Sequence, residues 1–263
     1  MDILLGCVPY LNAAPLVEDL PPGYRVEFRV PSELPGLLHH GAAAILVSSI
    51  EALRTPGARV ADSVAIASEG AVESVRIFHR GPVEKIETLA LDPSSMTSNL
   101  LAQVWLRDHL GLGVRTVVGG PDLADSLQRA DAAVLIGDAG MREPEPGVSA
   151  IDLGEAWLEL TGLPFIWALW VGGEALTGEV VGALDHSRET GLLRLPEREP
   201  EYSKRFGFEL DQVRHYLRDV MQYRPTERHW QGLAEFARRI ENNGLAGPLS
   251  LPTRISSPLT SIR

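Results

Sequence analysis

LALDPSSMTSNLL, residues 89–101, passes from a strand to a helix within a few residues. Leu89 to Leu91 are apolar and predict a short buried strand, which Asp92 and Pro93 end. Apolar residues then recur with helical spacing, which predicts a helix over 97–110. The junction carries a cluster of hydroxyl side chains: Ser94, Ser95, Thr97 and Ser98.

A helix start can hold an anion without help from lysine or arginine. Its first backbone N–H groups lack partners within the helix, and the helix dipole places a partial positive charge there. The hydroxyl cluster at 94–98 therefore predicts a cradle for a carboxylate or phosphate. The alternative is that these residues only cap the helix, since serine and threonine are common N-caps.

A second junction of the same kind strengthens the first interpretation. In AAAILVSSIEAL, the apolar segment 43–47 predicts a buried strand, and Ser48 and Ser49 open the helix that follows. Two such junctions could face one another across a cleft and hold a small dianion. We therefore expect Ser48 and Ser49 to bind substrate together with the 94–98 cluster.

Composition limits the classes of function. The 263 residues carry a net charge of −11, which argues against nucleic acid or an anionic membrane as a partner, because both require a cationic face. Cys7 is the single cysteine, so an intrachain disulfide and a cysteine-built metal site are excluded. The chain begins directly with an apolar strand and contains no apolar run long enough to span a bilayer, so we expect a cytoplasmic protein.

The predicted strands and helices alternate, which favours an α/β fold with mainly parallel sheets covered by helices on both faces. The dipeptide Gly81-Pro82 suggests a crossing into a second lobe, and the strand 166–171 suggests the return. We therefore predict a discontinuous first lobe, residues 1–82 plus 172–263, and a second lobe, residues 83–171. The helical C-terminal part should pack on the first lobe, and the Pro- and Ser-rich segment from Gly247 should form a frayed tail.

Six motifs along the chain belong together: VPYLNAAPL (8–16), VSSIEAL (47–53), SEGAVESVRIF (68–78), LDPSSMTSNLL (91–101), LIGDAG (135–140) and IDLGEAWLELTGLPFIWALW (151–170). Together they resemble one family, the bacterial chorismate dehydratases of the futalosine route to menaquinone. They occur in this order over about the first two thirds of the chain. The resemblance implies the type II periplasmic-binding-protein fold, with a ligand cleft between two lobes.

The resemblance also implies a reaction. Chorismate would lose water and become 3-[(1-carboxyvinyl)oxy]benzoate, an early intermediate of menaquinone (vitamin K2). A proton leaves the ring carbon that bears the ether, hydroxide leaves the neighbouring carbon, and the ring becomes aromatic. Donors around the ring carboxylate would stabilise the negative charge that spreads there.

The resemblance makes Asn12 the catalytic residue, through its amide. From the residues alone, Asn12 could equally form an Asx turn or cap the following helix. Tyr10 could line the cleft or belong to the core. Gly70 and Ser74 could approach the ligand or could simply lead into a strand.

The sequence offers three candidates for the proton acceptor. Asp138 follows an apolar strand and Glu155 lies in the GEAW motif, so either carboxylate could face the cleft, although such residues more often cap or pair. We count Asp138 among the substrate-binding residues. The enolpyruvyl carboxylate of the substrate itself lies near the departing proton, and we hypothesise that it acts as the base.

Other features indicate neither a metal nor a cofactor. The seven histidines show no ligand spacing and are expected at the surface. An elimination driven by aromaticity requires neither redox chemistry nor a Lewis acid. Arg76 stands where the resemblance would put an apolar residue, and it could bind a carboxylate or face solvent. Trp167 and Trp170 are expected in the core.

Two other functions remain open from the sequence. One is a non-catalytic cytoplasmic binding protein for a small carboxylate, because binding-protein folds capture solutes without chemistry. The other is the related 1,4-dihydroxy-6-naphthoate synthase of the same pathway, which as a family begins with a different motif and uses a histidine. The substrate is a small dianion in the leading interpretation, and the oligomeric state is left open.

Overall fold

The computed structural model describes residues 2–142 and 144–258. Its strands are β1 (Ile3–Cys7), β2 (Tyr24–Phe28), β3 (Ala44–Ser48), β4 (Arg59–Ser68), β5 (Val75–His79), β6 (Thr88–Leu91), β7 (Arg115–Val118), β8 (Ala132–Ile136), β9 (Ser149–Asp152), β10 (Phe165–Gly172) and β11 (Thr253–Ile255). Its α-helices are α1 (Ala14–Val17), α2 (Leu34–His39), α3 (Ser49–Arg54), α4 (Met96–Leu110), α5 (Leu123–Arg129), α6 (Gly137–Gly140), α7 (Leu153–Thr161), α8 (Gly178–Leu193), α9 (Leu195–Phe206), α10 (Leu210–His215) and α11 (Glu227–Asn242). Within these ranges, no helix has the length and apolar character needed to cross a membrane.

The chain folds into two compact units. The first unit comprises 1–67, 166–230 and 249–263, and the second comprises 68–165 and 231–248. This grouping differs from the predicted boundaries. Residues 68–82 join the second unit because β5 pairs with β8 and β9. The strand β10 joins the first unit because it pairs with β3.

The sheet of the first unit has the order β11-β4-β10-β3-β1-β2. Its β1 pairs in parallel with β2 on one side and with β3 on the other. Each of these connections crosses through a helix, as parallel neighbours require. The strand β10 runs antiparallel to β3, so the sheet is mixed.

The sheet of the second unit has the order β7-β6-β8-β5-β9. Its β6 pairs in parallel with both β7 and β8, whereas β5 is antiparallel to β8 and β9. This sheet is thus mixed, where a mainly parallel sheet was predicted. The strand β5 enters the sheet after the loop 69–74 and pairs with the later strands β8 and β9 in the antiparallel direction.

The C-terminal region differs from the prediction in three ways. Helix α11 begins in the first unit, but its residues from Gln231 belong to the second, where Phe236 packs edge-to-face on Trp157 and Phe165. The predicted tail contains β11, which pairs in parallel with β4; residues 259–263 lie outside the described ranges. Within the part predicted to be helical, α10 is followed by a π-helical turn, Tyr216–Val220.

Trp167 and Trp170 are buried, as predicted for core residues. Both belong to β10, a strand whose residues are nearly all buried. Trp157 in α7 is also buried, and its indole N–H donates to the Pro164 carbonyl at 3.3 Å. Trp157 therefore joins α7 to the segment that leads into β10.

Candidate active site

The carboxyl ends of β1 and β3 form a polar edge in the first unit. The chain leaves β1 toward β2 on one side and later returns to β3 on the other, so the order of strands reverses at β1. Ligands of open α/β sheets bind at such reversals, outside the carboxyl ends of the strands. Here, the segment 9–12 follows β1, and Ser48 and Ser49 stand where β3 ends and α3 begins.

Asn12 holds a defined orientation at this edge. It lies in a 3-10 turn, Leu11–Ala13, and its Nδ2 donates to the Tyr216 hydroxyl at 3.1 Å. Its Oδ1 is buried and has no hydrogen-bond partner among the described residues. In the same part of the chain, neither this turn nor α1 has a side-chain cap. The capping alternative considered for Asn12 is therefore not what the structure shows.

The other predicted residues of this edge vary in burial. Tyr10 is half-buried at the N-cap of the 3-10 turn. Ser48 is half-buried and pairs with Ala168 of β10, and its side chain caps no N–H of α3 among the described groups. Ser49 is fully buried. The structure thus brings Tyr10, Asn12, Ser48 and Ser49 to one edge of one sheet.

The second unit repeats this arrangement at the carboxyl ends of β6 and β8. The strand order reverses at β6, which lies between β7 and β8. Asp92, buried after β6, accepts hydrogen bonds from the Ser94 N–H at 2.8 Å, the Ser94 hydroxyl at 2.5 Å and the Ile136 N–H at 3.1 Å. Its backbone also exchanges two hydrogen bonds with the Asn99 side chain. Asp92 therefore sets the shape of the junction.

The hydroxyl cluster opens α4 as predicted. Ser95 is the N-cap: its Oγ accepts from the Ser98 N–H at 3.3 Å, and its hydroxyl donates to Ser98 Oγ at 2.8 Å. Ser95, Thr97 and Ser98 are buried, whereas Ser94 is half-buried. Ser95 thus performs the capping role, and the cluster is an ordered set of hydroxyl and N–H groups at the start of a fifteen-residue helix.

Gly70 and Ser74 approach the same edge through the loop that enters β5. Val75 pairs with Ile136, so this loop lies beside the end of β8. Gly70 has a φ of 96°, which favours glycine, and Ser74 is buried. Glu73 has a φ of 61°, an uncommon conformation for a residue with a side chain.

Asp152 holds this loop in place. Its Oδ1 accepts from the N–H groups of Val72 and Gly154, both at 2.9 Å, and its Oδ2 accepts from the Glu73 N–H at 2.6 Å. Asp152 is also the N-cap of α7. One carboxylate therefore begins a helix and fixes the strained turn that leads to Ser74.

Asp138 and Glu155 occupy different environments. Asp138 is half-buried in α6, and burial raises the pKa of its carboxyl, an effect that Arg142 opposes. Glu155 is exposed in the first turn of α7, where the helix dipole stabilises a carboxylate. Asp138 thus has a raised pKa, which functional carboxyls often show.

The histidines follow the prediction only in part. His39, His40, His109, His186 and His215 are exposed. His79 and His229 are buried instead; the Nδ1 of His229 accepts from the Thr226 N–H at 3.1 Å beside the start of α11, so its burial is structural. Across residues 2–142 and 144–258, no three histidine, cysteine or acidic residues form a group that could hold a metal ion.

Arg76 is half-buried on β5, opposite Asp152 of β9 in the register.

Three organising residues were missed by sequence reasoning. Asp92 and Asp152 each follow a strand and precede a helix, which is a recognisable Asx-turn or N-cap position. Tyr216 gave no local signal, because it lies 204 residues from Asn12 in the sequence.

Comparisons with known proteins show the family of this chain. A family model described as menaquinone biosynthesis matches residues 3–242. A chorismate dehydratase of Thermus thermophilus is 31% identical, over 90% of this chain and 94% of that protein. A chorismate dehydratase of Campylobacter jejuni is 28% identical, over 93% of this chain and all of that protein (100%).

A solved structure supports the fold independently. The periplasmic aliphatic sulphonate binding protein SsuA of Escherichia coli superposes with a TM-score of 0.64 at 16% identity, over 97% of this chain and 94% of that one. At this identity, the likeness shows the fold alone, which is periplasmic-binding-protein-like. Together with the family match over most of its length, these findings establish that the chain belongs to the menaquinone biosynthesis family.

Proposed function

We propose that this protein dehydrates chorismate to 3-[(1-carboxyvinyl)oxy]benzoate, as a hydro-lyase of menaquinone biosynthesis. The observation that carries the proposal is the ordered start of α4, where buried hydroxyls at 95, 97 and 98 stand at a strand-order reversal. The relatives named above share this activity by name, and their similarity extends along nearly the whole chain. A small dianionic substrate suits donors of this kind.

The start of α4 suits the ring carboxylate of chorismate. Loss of the ring proton sends negative charge into this carboxylate through the conjugated ring. Hydroxyl and backbone N–H donors that are already aligned stabilise that charge without reorganising during the reaction. In this protein, the bonds from Asp92 and Asn99 provide the alignment. We assign Ser94, Ser95, Thr97 and Ser98 to this role.

Asn12 is assigned to the departing hydroxyl. An amide offers both a donor and an acceptor, but it is no base at neutral pH. Tyr10, Ser48 and Ser49 at the same sheet edge would bind the remaining polar groups of the substrate. We also assign Gly70, Ser74 and Asp138 to substrate binding.

The substrate's enolpyruvyl carboxylate is the proposed base. The variants Asp138→Asn and Glu155→Gln test this assignment, because each replaces a carboxylate by an amide of similar shape. Both should keep most of the wild-type turnover. If either loses turnover while still binding chorismate, that side chain is the base and the substrate-assisted mechanism is wrong.

The decisive experiment mixes purified protein with chorismate and follows the loss of diene absorbance. Mass spectrometry of the product should show the loss of one water and formation of the benzoate ether. Asn12→Ala should then lose turnover, and Ser95→Ala should weaken both binding and turnover. Intact chorismate in the presence of folded protein would reject the dehydratase.

A binding measurement distinguishes the enzyme from a non-catalytic binding protein. Calorimetric binding of chorismate without turnover would favour a non-catalytic carboxylate-binding protein. We place the enzyme in the cytoplasm, an assignment supported by the one free, buried cysteine among the described residues, which suits a reducing compartment.

A further inference from the structure

We propose that Tyr216 is a positioning residue for the reaction, because its hydroxyl fixes the amide of Asn12 in the orientation that the substrate needs. The inference rests on the proposed function. It assigns a role to a part of the chain, the π-helical turn Tyr216–Val220, that the sequence motifs do not cover.

The first observation is the hydrogen bond itself. Asn12 Nδ2 donates to the Tyr216 hydroxyl at 3.1 Å, and Tyr216 is only 1% exposed. A side-chain amide can rotate to exchange its oxygen and nitrogen. Here Nδ2 donates to the Tyr216 hydroxyl, so this bond holds the nitrogen end of the amide and leaves Oδ1 at the other end.

The second observation concerns that other end. Asn12 Oδ1 is buried without a hydrogen-bond partner among the residues that the structure describes. Leaving a buried acceptor unpaired costs about 1–3 kcal/mol, so such atoms are rare and call for an explanation. A substrate hydroxyl that donates to Oδ1 would supply the missing bond and be oriented for departure, and the amide nitrogen carries a second N–H that can donate to the leaving hydroxide. Tyr216 then acts by keeping Oδ1 available for the substrate.

The third observation is how firmly Tyr216 is held. The Met221 N–H donates to the Tyr216 carbonyl at 3.0 Å, which closes the π-helical turn. Glu199 of α9 is fully buried, and its carboxylate accepts from Arg214 at 3.2 Å and from Arg218 at 2.5 Å. These ion pairs fasten both α10 and the turn to α9. Single π-helical turns occur frequently at functional sites.

The test compares two tyrosine variants in the same unit. Tyr216→Phe removes only the hydroxyl that binds Asn12. Tyr223→Phe is the matched control, because Tyr223 is also buried and its hydroxyl has no partner in the described chain. We expect Tyr216→Phe to lower kcat about 10- to 100-fold with little change in KM, as loss of orientation does. Tyr223→Phe should keep the wild-type kcat.

A double variant excludes a merely structural effect. If Tyr216 acts through Asn12, Asn12→Ala/Tyr216→Phe should be no slower than Asn12→Ala alone. A wild-type kcat in Tyr216→Phe, or a further loss in the double variant, would overturn the inference while leaving the proposed function intact. An inactive wild-type protein would instead overturn the proposed function and the inference with it.

A second variant covers the case in which Tyr216→Phe fails to fold. Arg218→Met removes one of the two ion pairs that fasten the turn but leaves Arg214 on Glu199. It should also lower kcat with little change in KM. An unchanged kcat in Arg218→Met would then count against the inference.

Discussion

Asp92 and Ile136 stand at the carboxyl ends of neighbouring parallel strands, and Asp92 Oδ2 accepts a hydrogen bond from the Ile136 N–H at 3.1 Å. The other oxygen of this carboxylate binds the Ser94 N–H and hydroxyl. One buried carboxylate therefore couples the start of α4 to the end of β8. Both segments carry residues that we assign to the substrate.

Asp92→Ala should destabilise the protein and weaken substrate binding together. Hydrogen bonds to a charged group are worth about 1.5–3 kcal/mol each, and the Ile136 N–H would lose its partner. We expect a loss of at least about 2 kcal/mol in urea unfolding and a raised KM. The control is Asp122→Ala: Asp122 is an exposed N-cap of α5 and accepts from the Asp125 N–H. Its loss should cost about 1 kcal/mol and leave KM unchanged.

Gly140→Ala should distort the loop that precedes β5. A Cβ at position 140 would stand 2.4 Å from the Ser74 carbonyl oxygen, which is too close, so the backbone must move. The expected result is a lower melting temperature and a raised KM. Gly113→Ala is the matched control, because a Cβ there meets no atom within 4 Å. Equal behaviour of the two variants would contradict the assignment of Ser74.

Asp138 should make the protein less stable as the pH rises. Burial raises the pKa of its carboxyl in the folded state, whereas the unfolded chain keeps the ordinary value. The stability that Asp138 contributes is therefore complete below the ordinary pKa and is lost as the pH rises through the raised value. The melting temperature of Asp138→Asn should exceed that of wild type by more at pH 7 than at pH 3.5.

Asp131 provides a control of opposite sign for this pH experiment. A hydrogen bond from the Thr88 hydroxyl, aided by backbone N–H groups, holds the pKa of the Asp131 carboxyl below its ordinary value. Its stabilising contribution is present above the ordinary pKa and is lost as the pH falls. Asp131→Asn should therefore be less stable than wild type at pH 7, with a difference that shrinks at lower pH. The same pH trend in both variants would refute this account.

The Cys7 thiol should be inert in the native protein. It is fully buried, and burial raises its pKa to about 12, so the reactive thiolate is scarce at neutral pH. An aromatic disulfide reagent should release one equivalent of chromophore per chain in denaturant and almost none without it. Rapid reaction of the folded protein would mean that β1 opens locally.

Local patterns predicted much of the secondary structure and the two polar junctions. The apolar segments 43–47 and 89–91 predicted β3 and β6 to within one residue, because a buried parallel strand is a short apolar run in the sequence. Hydroxyls at 94–98 predicted the start of α4 through ordinary capping chemistry. Local patterns did not predict the boundaries of the units, because strand pairing decides them. Residues 68–82 belong to the second unit because β5 pairs with β8.

By itself, the sequence determined the alternation of strands and helices, the motifs that resemble one family and the polar residues at strand ends. Each of these features depends on neighbours along the chain. Only the tertiary structure decided that Asp92 accepts from Ile136, that Asp152 accepts from Glu73 and that Tyr216 accepts from Asn12. These bonds join residues 44, 79 and 204 positions apart. Their partners meet only when the sheets and helices have packed, and no local pattern specifies which distant group a buried polar atom will find.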